Sequence, residues 1–341
     1  MHMLEEGRLF EQSSHLEYGG KMRKYVIKRV GISIIILFFV SITVFTLIQL
    51  QPGNPFVGMV RSDMDPQFIE KQMNKYGYND PLPEQYFKWI IRTIKGDLGY
   101  SLQHKTSVME MIQGRMKNTL LLSGTAFLLS SLFSCVIGVY VAYKYNSVSD
   151  KIITIVSFIF ISVPLFFIAL ILIKIFSFDL MLLPPSGIET VGKDYEGILR
   201  CEDIIKHMIL PVGILTAGQT SALIRYIRSS MIDVFNQDYM RMAKAKGISR
   251  NRIIWVHGFK NILASVITIL VMQLPGLLSG AVLLESIFSW PGIGKLNYDA
   301  ILTQDYPVIM GVTIILSVII VGMNLFADIL CAFVNPKIKI S

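Results

Sequence analysis

The sequence predicts an all-α integral membrane protein with six transmembrane helices and a small helical extracellular subdomain. Three observations carry that prediction. Of 341 residues, 52% are hydrophobic and only 16% charged; several runs of about 20 residues or more carry no charge; and Lys and Arg crowd into alternate connecting segments. The first observation argues against a soluble enzyme. The third argues against a nucleic-acid partner, because the net charge of +8 is dispersed at membrane flanks instead of gathered into one basic surface.

Four apolar runs, 30–50, 119–143, 262–284 and 308–327, contain 21, 25, 23 and 20 residues. Each can cross roughly 30 Å of hydrocarbon as a helix. A fifth, 152–178, carries only Lys174, near an end where a long side chain reaches the interface. The weakest signal is 207–224, which contains Pro211, Gly213 and Gly218, ends against Arg225 and Arg228, and reads as a span polar or packed on one side. Six spans put both termini on one side. Segments 21–29, 144–151, 225–260 and 335–341 hold 17 Lys/Arg, against 4 in 179–206 and 285–307. The positive-inside rule then predicts a multi-pass plasma-membrane protein with both termini cytoplasmic.

The domain reading follows these spans. Residues 1–21 are polar, lack an apolar core for a signal peptide, and precede a second possible start at Met22, as a native extension or a cloning remnant would. Residues 22–50 form a cytoplasmic flank and a retained first span. In 51–118, helix-like spacing at 67–76, 83–94 and 108–117 follows a Pro52-Gly53-Asn54-Pro55 turn and is interrupted by Pro81, Pro83 and Gly96-Asp97-Leu98-Gly99. Residues 119–335 form the core, with a cytoplasmic loop at 225–260, and 336–341 a tail. The acidic segment 179–206 reads as a solvated outer loop. Cys135, Cys201 and Cys331 are too scattered for a disulfide framework or a metal knuckle, and no metal site is expected.

The inner loop is the most informative segment. Met231, Val234, Phe235, Tyr239, Met242 and Ala243 recur at spacings of three or four with charges between them, which predicts amphipathic helices. Gly247 ends the second helix, and 249–261 resumes as a basic amphipathic helix. On these residues alone, such a pair could lie on anionic membrane lipid.

The string Asp238-Tyr239-Met240-Arg241-Met242-Ala243-Lys244-Ala245-Lys246-Gly247, with His257 and Asn261 downstream, resembles the cytoplasmic EAA loop of ABC importer permeases in their peptide/nickel branch. Further marks are Leu50-Gln51-Pro52-Gly53-Asn54-Pro55, Lys75-Tyr76-Gly77-Tyr78-Asn79-Asp80-Pro81, Gly96-Asp97-Leu98-Gly99-Tyr100-Ser101, Glu285-Ser286-Ile287-Phe288-Ser289-Trp290-Pro291-Gly292-Ile293-Gly294 and Asn335-Pro336-Lys337. Arg241 and Met242 depart from the wider motif, whereas Ala243 and Gly247 match it. The resemblance implies a type I importer permease that forms half of a pore with a second permease subunit. It further implies two cytoplasmic ATP-binding subunits and an extracellular substrate-binding protein. Cargo would be an oligopeptide or dipeptide, with nickel, glutathione or another small solute as the alternative within the family. ATP and Mg would be held by the partners, and ATPase coupling would pass through Asp238, Tyr239, Ala243, Ala245 and Gly247.

The chain has no GxxxxGK[ST], HExxH or GxSxG, so no catalytic residue is expected in it. An ATP-independent secondary transporter is the rival from another class. It would call for intramembrane carboxylates and inverted repeats, and the five clearest runs contain no Asp or Glu. Within the spans, Gln219, Gln273, Pro275 and Asn324 are candidates for a translocation path, each also open to a packing role. Pro275-Gly276 predicts a kink. Glu285, Trp290, Pro291, Gly292 and Gly294 are candidates for an outer gate or turn, Trp290 suiting an interfacial belt.

Overall fold

A computed structural model describes residues 2–50, 67, 80–101, 103–277 and 282–334. In chain order the elements are α1 (His2–Gln49), α2 (Leu82–Ile94), a hairpin of β1 (Tyr100–Ser101) and β2 (Thr106–Ser107), α3 (Val108–Tyr143), α4 (Val148–Ser162) and α5 (Leu165–Ile173). They continue with α6 (Gly197–Phe235), α7 (Asp238–Ala245), α8 (Arg250–Arg252), α9 (Lys260–Gln273), α10 (Val282–Ile287), α11 (Ile293–Leu302) and α12 (Tyr306–Val334). A π-helical stretch, Lys174–Asp179, extends α5; another, Ile253–Phe259, joins α8 to α9; and a 3-10 turn, Leu274–Leu277, follows α9. The chain is the all-α membrane protein that its apolar runs predict.

Among the described residues, five segments are long and apolar enough to cross a membrane: Lys24–Gln49, Val108–Tyr143, Gly197–Phe235, Arg250–Leu277 and Tyr306–Cys331. The sixth is the surprise. The run at 152–178, expected as one span, is broken between α4 and α5 and bent by 103°. Pro164 causes the break: it has no N–H to donate, and its ring disfavours helix at the preceding residue, so Val163 sits extended at φ −90, ψ 129.

Conversely, the run with the weakest signal belongs to the longest of the spanning segments. α6 continues through Pro211, and 67% of its most apolar window is buried, against 28% or less in the other four spans. Its polar residues are paired across α3: Ser130 Oγ donates to Gln219 Oε1 at 2.9 Å and Thr216 Oγ1 to the Ala126 carbonyl at 3.4 Å. A Cβ at Gly138 would lie 2.8 Å from Ile227 Cβ, so this seam needs a glycine.

These pairs also set direction. Ala126 meets Thr216, Ser130 meets Gln219 and Gly138 meets Ile227, so α3 and α6 run parallel. The intervening chain must therefore return across the same thickness. The bent pair begins where Asp150 meets Arg228 near one end of that seam, and the loop after it reaches Phe288 near the other, through Gly187 N–H at 2.8 Å. That return identifies the bent pair as a broken span, which makes six crossings among the described residues. The two ends of the bundle are called below the α7 end and the α11 end.

At the α11 end, α2 buries Trp89 against Phe45 of α1, and Tyr86 Oη lies 2.8 Å from Ser41 Oγ. The β hairpin is fastened to the start of α12 by a hydrogen bond from Ser101 to Asp305, both fully buried. α3 runs without interruption through residue 118, so the boundary drawn there falls inside one helix. The loop expected to be merely solvated is anchored, because the Asp203 carboxylate accepts from Thr190 N at 2.6 Å and Thr190 Oγ1 at 2.7 Å. The expected turn at 52–55, the helix at 67–76 apart from Gln67, and the tail 336–341 lie outside the described residues.

Candidate functional site

The α7 region is built from a phase reset. α6 ends at Phe235, and Gln237 is extended at φ −70, ψ 149 before α7 begins. Helical periodicity therefore does not carry from Phe235 to Tyr239, and the expected apolar stripe divides. Met240, outside that stripe, is fully buried, with Ala243 beside it at 7% exposure, whereas Tyr239 and Met242 are 39% and 59% exposed. The inward face rests on the π-helical stretch and the end of α6. Gly258 of that stretch allows a close approach: a Cβ there would come within 3.0 Å of Met231 and 3.2 Å of Phe235. Asp238 and Ala245 are exposed. Asp238 approaches Arg241 at 3.8 Å, an exposed pair that contributes little.

Gly247 closes α7 in the left-handed region at φ +70. Its N–H donates to the Lys244 carbonyl at 3.1 Å and that of Ile248 to the Ala243 carbonyl at 3.4 Å, satisfying the last turn. No atom of the described chain would lie within 4 Å of a Cβ at Gly247. The five residues expected to couple therefore split: Asp238, Tyr239, Ala245 and Gly247 face outward, and Ala243 faces the chain itself.

At the α11 end, Glu285 is the hub of a closed turn. It is fully buried. Oε1 accepts from Thr119 Oγ1 at 2.8 Å and Oε2 from Lys295 N at 3.0 Å. Burial pushes its carboxyl above the usual range, opposed by hydrogen bonds from the Lys295 amide, Thr119 and the Gly294 amide. Gly292 and Gly294 form the cradle: a Cβ on Gly292 would overlap the carboxylate, and one on Gly294 would lie 2.9 Å from it. Trp290 is turned into the protein and presents no face to lipid. It is fully buried, and its Nε1 donates to the Asn118 carbonyl at 2.9 Å, while Asn118 Nδ2 donates to the Pro291 carbonyl at 2.9 Å. Glu285 has no exposed surface through which it could touch a partner here, so the five residues read as gate or turn are a turn locked onto α3.

The path candidates fall in two places. Gln219 is engaged in the α3–α6 seam, beside an apolar cavity of about 680 Å³ lined from α3, α4 and α6 that includes its neighbour Thr220. Asn324 lines a smaller cavity of about 250 Å³ with Arg29, Ser33, Met272 and Asp328. Arg29 there pairs with Asp328 at 2.9 Å, tying α1 to α12. Gln273 ends α9, and Pro275 lies buried in the 3-10 turn, so the backbone departs from the α-helix where Pro275-Gly276 predicts it. Sequence reasoning missed Met240, Thr119 and the Asp150–Arg228 ion pair. Only Asp150 had a readable local signal, the spacing of Ser147 and Asp150 as a helix cap.

The sequence matches the family described as "Binding-protein-dependent transport system inner membrane component" over residues 134–340, and its N-terminal companion over 22–123. It is 41% identical to the oligopeptide transport system permease protein AppB of Bacillus subtilis, covering 93% of this chain and 100% of that one. It is 35% identical to the di/tripeptide transport system permease protein DppB of Pseudomonas aeruginosa, with 93% and 99% covered. It is 34% identical to the glutathione transport system permease protein GsiC of Escherichia coli strain K12, again over 93% and 99%.

Proposed function

We propose, from the premise that this chain belongs to the family of binding-protein-dependent transport system inner membrane components, that it imports short peptides as one of two permease subunits enclosing a pore. It is a multi-pass ABC-transporter permease, and such permeases work with ATPase subunits and a binding protein. In this reading the α7 end faces the cytoplasm and both termini lie there. Two partner subunits bind ATP and Mg at that end, and a substrate-binding protein delivers peptide at the α11 end. The relatives' printed names support peptide cargo. Glutathione is itself a tripeptide, so the glutathione relative extends that class.

The observation that carries the reading is the outward face of α7. A short helix anchored inward by Met240 and Ala243 presents Tyr239 and Met242 to open space and ends on an unobstructed left-handed glycine. That surface suits a partner's cleft, as amphipathic helices are received elsewhere. Closure of the ATPase pair would then move α7 and tilt the spans between outward- and inward-open states.

The test is peptide uptake by the complex in proteoliposomes. Gly247→Asn tolerates the left-handed region and is expected to transport normally. A Cβ at position 247 meets no neighbouring group of the described chain, so the cost of Gly247→Arg at home is mainly about 1–2 kcal/mol of backbone strain. Uptake is nevertheless expected to be lost while ATP hydrolysis persists, because the side chain would occupy the docking surface. Wild-type uptake by Gly247→Arg would refute coupling through α7. Competition by di- and tripeptides but not nickel supports the cargo, and the reverse overturns it.

A further inference from the structure

We infer that the turn between α3 and α4, residues 143–150, positions α7 and passes its movement to the second and third spans. This rests on the coupling role proposed for α7. The turn is unusually well fixed. Asn146 takes a left-handed conformation at φ 63, and Ser147 caps α4 by accepting from Asp150 N at 3.3 Å. Asp150 reciprocates by accepting from Asn146 N at 2.9 Å, closing a cap in which both ends are satisfied.

Asp150 also faces α6. Arg228 Nε donates to Oδ1 at 2.6 Å and Nη2 to Oδ2 at 2.8 Å, a two-pronged pair whose carboxylate side chain is only 3% exposed. The same guanidinium lies over the Tyr145 ring, 5.2 Å from its centroid. A second arginine repeats the arrangement: Arg250 lies 4.0 Å from the centroid of Tyr143. Tyr143 in turn meets Phe235, the last residue of α6, edge-on at 6.4 Å.

Arg228 stands before α7 in the chain and Arg250 after it. The segments entering and leaving α7 are therefore both stacked on tyrosines of one short turn. A flexible connector would absorb a displacement of α7. Here the displacement must either break these contacts or carry the turn with it, and the turn is the joint between α3 and α4. Beside it, Val139 and Ala142 of α3 share a buried cluster with Ile227 and Met231 of α6 and Ile254 of the π-helical stretch, so the α7 end moves as one packed body. Asp150, Arg228, Arg250 and Tyr143 are positioning residues; none is proposed to touch peptide or nucleotide.

The experiment measures peptide taken up per ATP hydrolysed by the assembled importer in proteoliposomes. Arg250→Leu and Tyr143→Leu are expected to lower that ratio about fivefold, within the range of site-to-site couplings, with the complex recovered in equal yield. Tyr143→Phe keeps the ring and should keep the ratio. The double variant should lose no more than Tyr143→Leu alone, because the contact that Arg250→Leu removes is already gone there. Arg228→Lys keeps the charge but not the fork and should also lower the ratio. If Tyr143→Leu fails to accumulate, Arg250→Leu, on an exposed side chain, decides alone. An unchanged ratio in Arg250→Leu, or equal loss in Tyr143→Phe and Tyr143→Leu, overturns the inference. Gly247→Arg run alongside separates the two failures: if it uncouples while the stacking variants do not, the turn's role falls and α7's stands; if it does not uncouple, both fall.

Discussion

At the scale of single residues, the glycines of this chain divide by what surrounds them. Gly292 sits at φ −101, where any residue is comfortable, so its requirement is one of space: a methyl group there would overlap Glu285. The carboxylate would have to leave Thr119 and the Lys295 amide while remaining buried. Gly292→Ala is accordingly expected to destabilise by roughly 1–3 kcal/mol, the usual cost of overpacking. Gly114 is the control, because it lies on an exposed turn of α3 with nothing within 4 Å of its would-be Cβ. Gly114→Ala should stabilise by up to about 1 kcal/mol through helix propensity. Thermal unfolding of both variants in detergent checks the opposite signs, and equal behaviour would remove the cradle argument.

At the scale of elements, Pro211 and Pro164 act oppositely on the helices that contain or adjoin them. Pro211 is accommodated within α6, where it is buried together with its neighbours Leu210 and Val212. Pro164 ends α4, and the chain leaves at 103°. Spin labels at Val148 and Asp179, both exposed, measure the difference. A straight helix over that stretch would separate them by roughly 47 Å, and the observed bend by roughly 27 Å, at 1.5 Å per residue. The wild type should show the shorter distance and Pro164→Ala a shift toward the longer. A wild-type distance near the longer value would contradict the broken span. Apolarity had ranked these two runs in the reverse order, because hydropathy reports solvent and not continuity. The fourth run looks weak for the same reason that it is central: a helix packed on α3, α4 and α5 does not need lipid-facing residues all round.

At the scale of the whole molecule, parallel α3 and α6 call for six crossings among the described residues, and the charge bias predicts that the α7 end faces the cytoplasm. Cys201, exposed at the opposite end, should react with a membrane-impermeant maleimide in intact cells, whereas Tyr239→Cys in a Cys201→Ser background should react only after permeabilisation. The reverse pattern would invert the orientation. Much of this molecule was legible in its residues: the apolar runs, the transporter family and the glycine that ends α7 all depend on local composition, spacing or motif. The face that α7 turns outward was not, because Gln237 resets the helical phase and the neighbouring π-helical stretch selects Met240. Nor was the role of Glu285, whose partner Thr119 lies far away in the chain. The sequence by itself determined which segments leave water and what kind of protein they make, since transfer into lipid is additive along a run. Only the tertiary structure decided which polar groups pair, because a buried hydrogen bond or ion pair depends on where two distant segments are brought together.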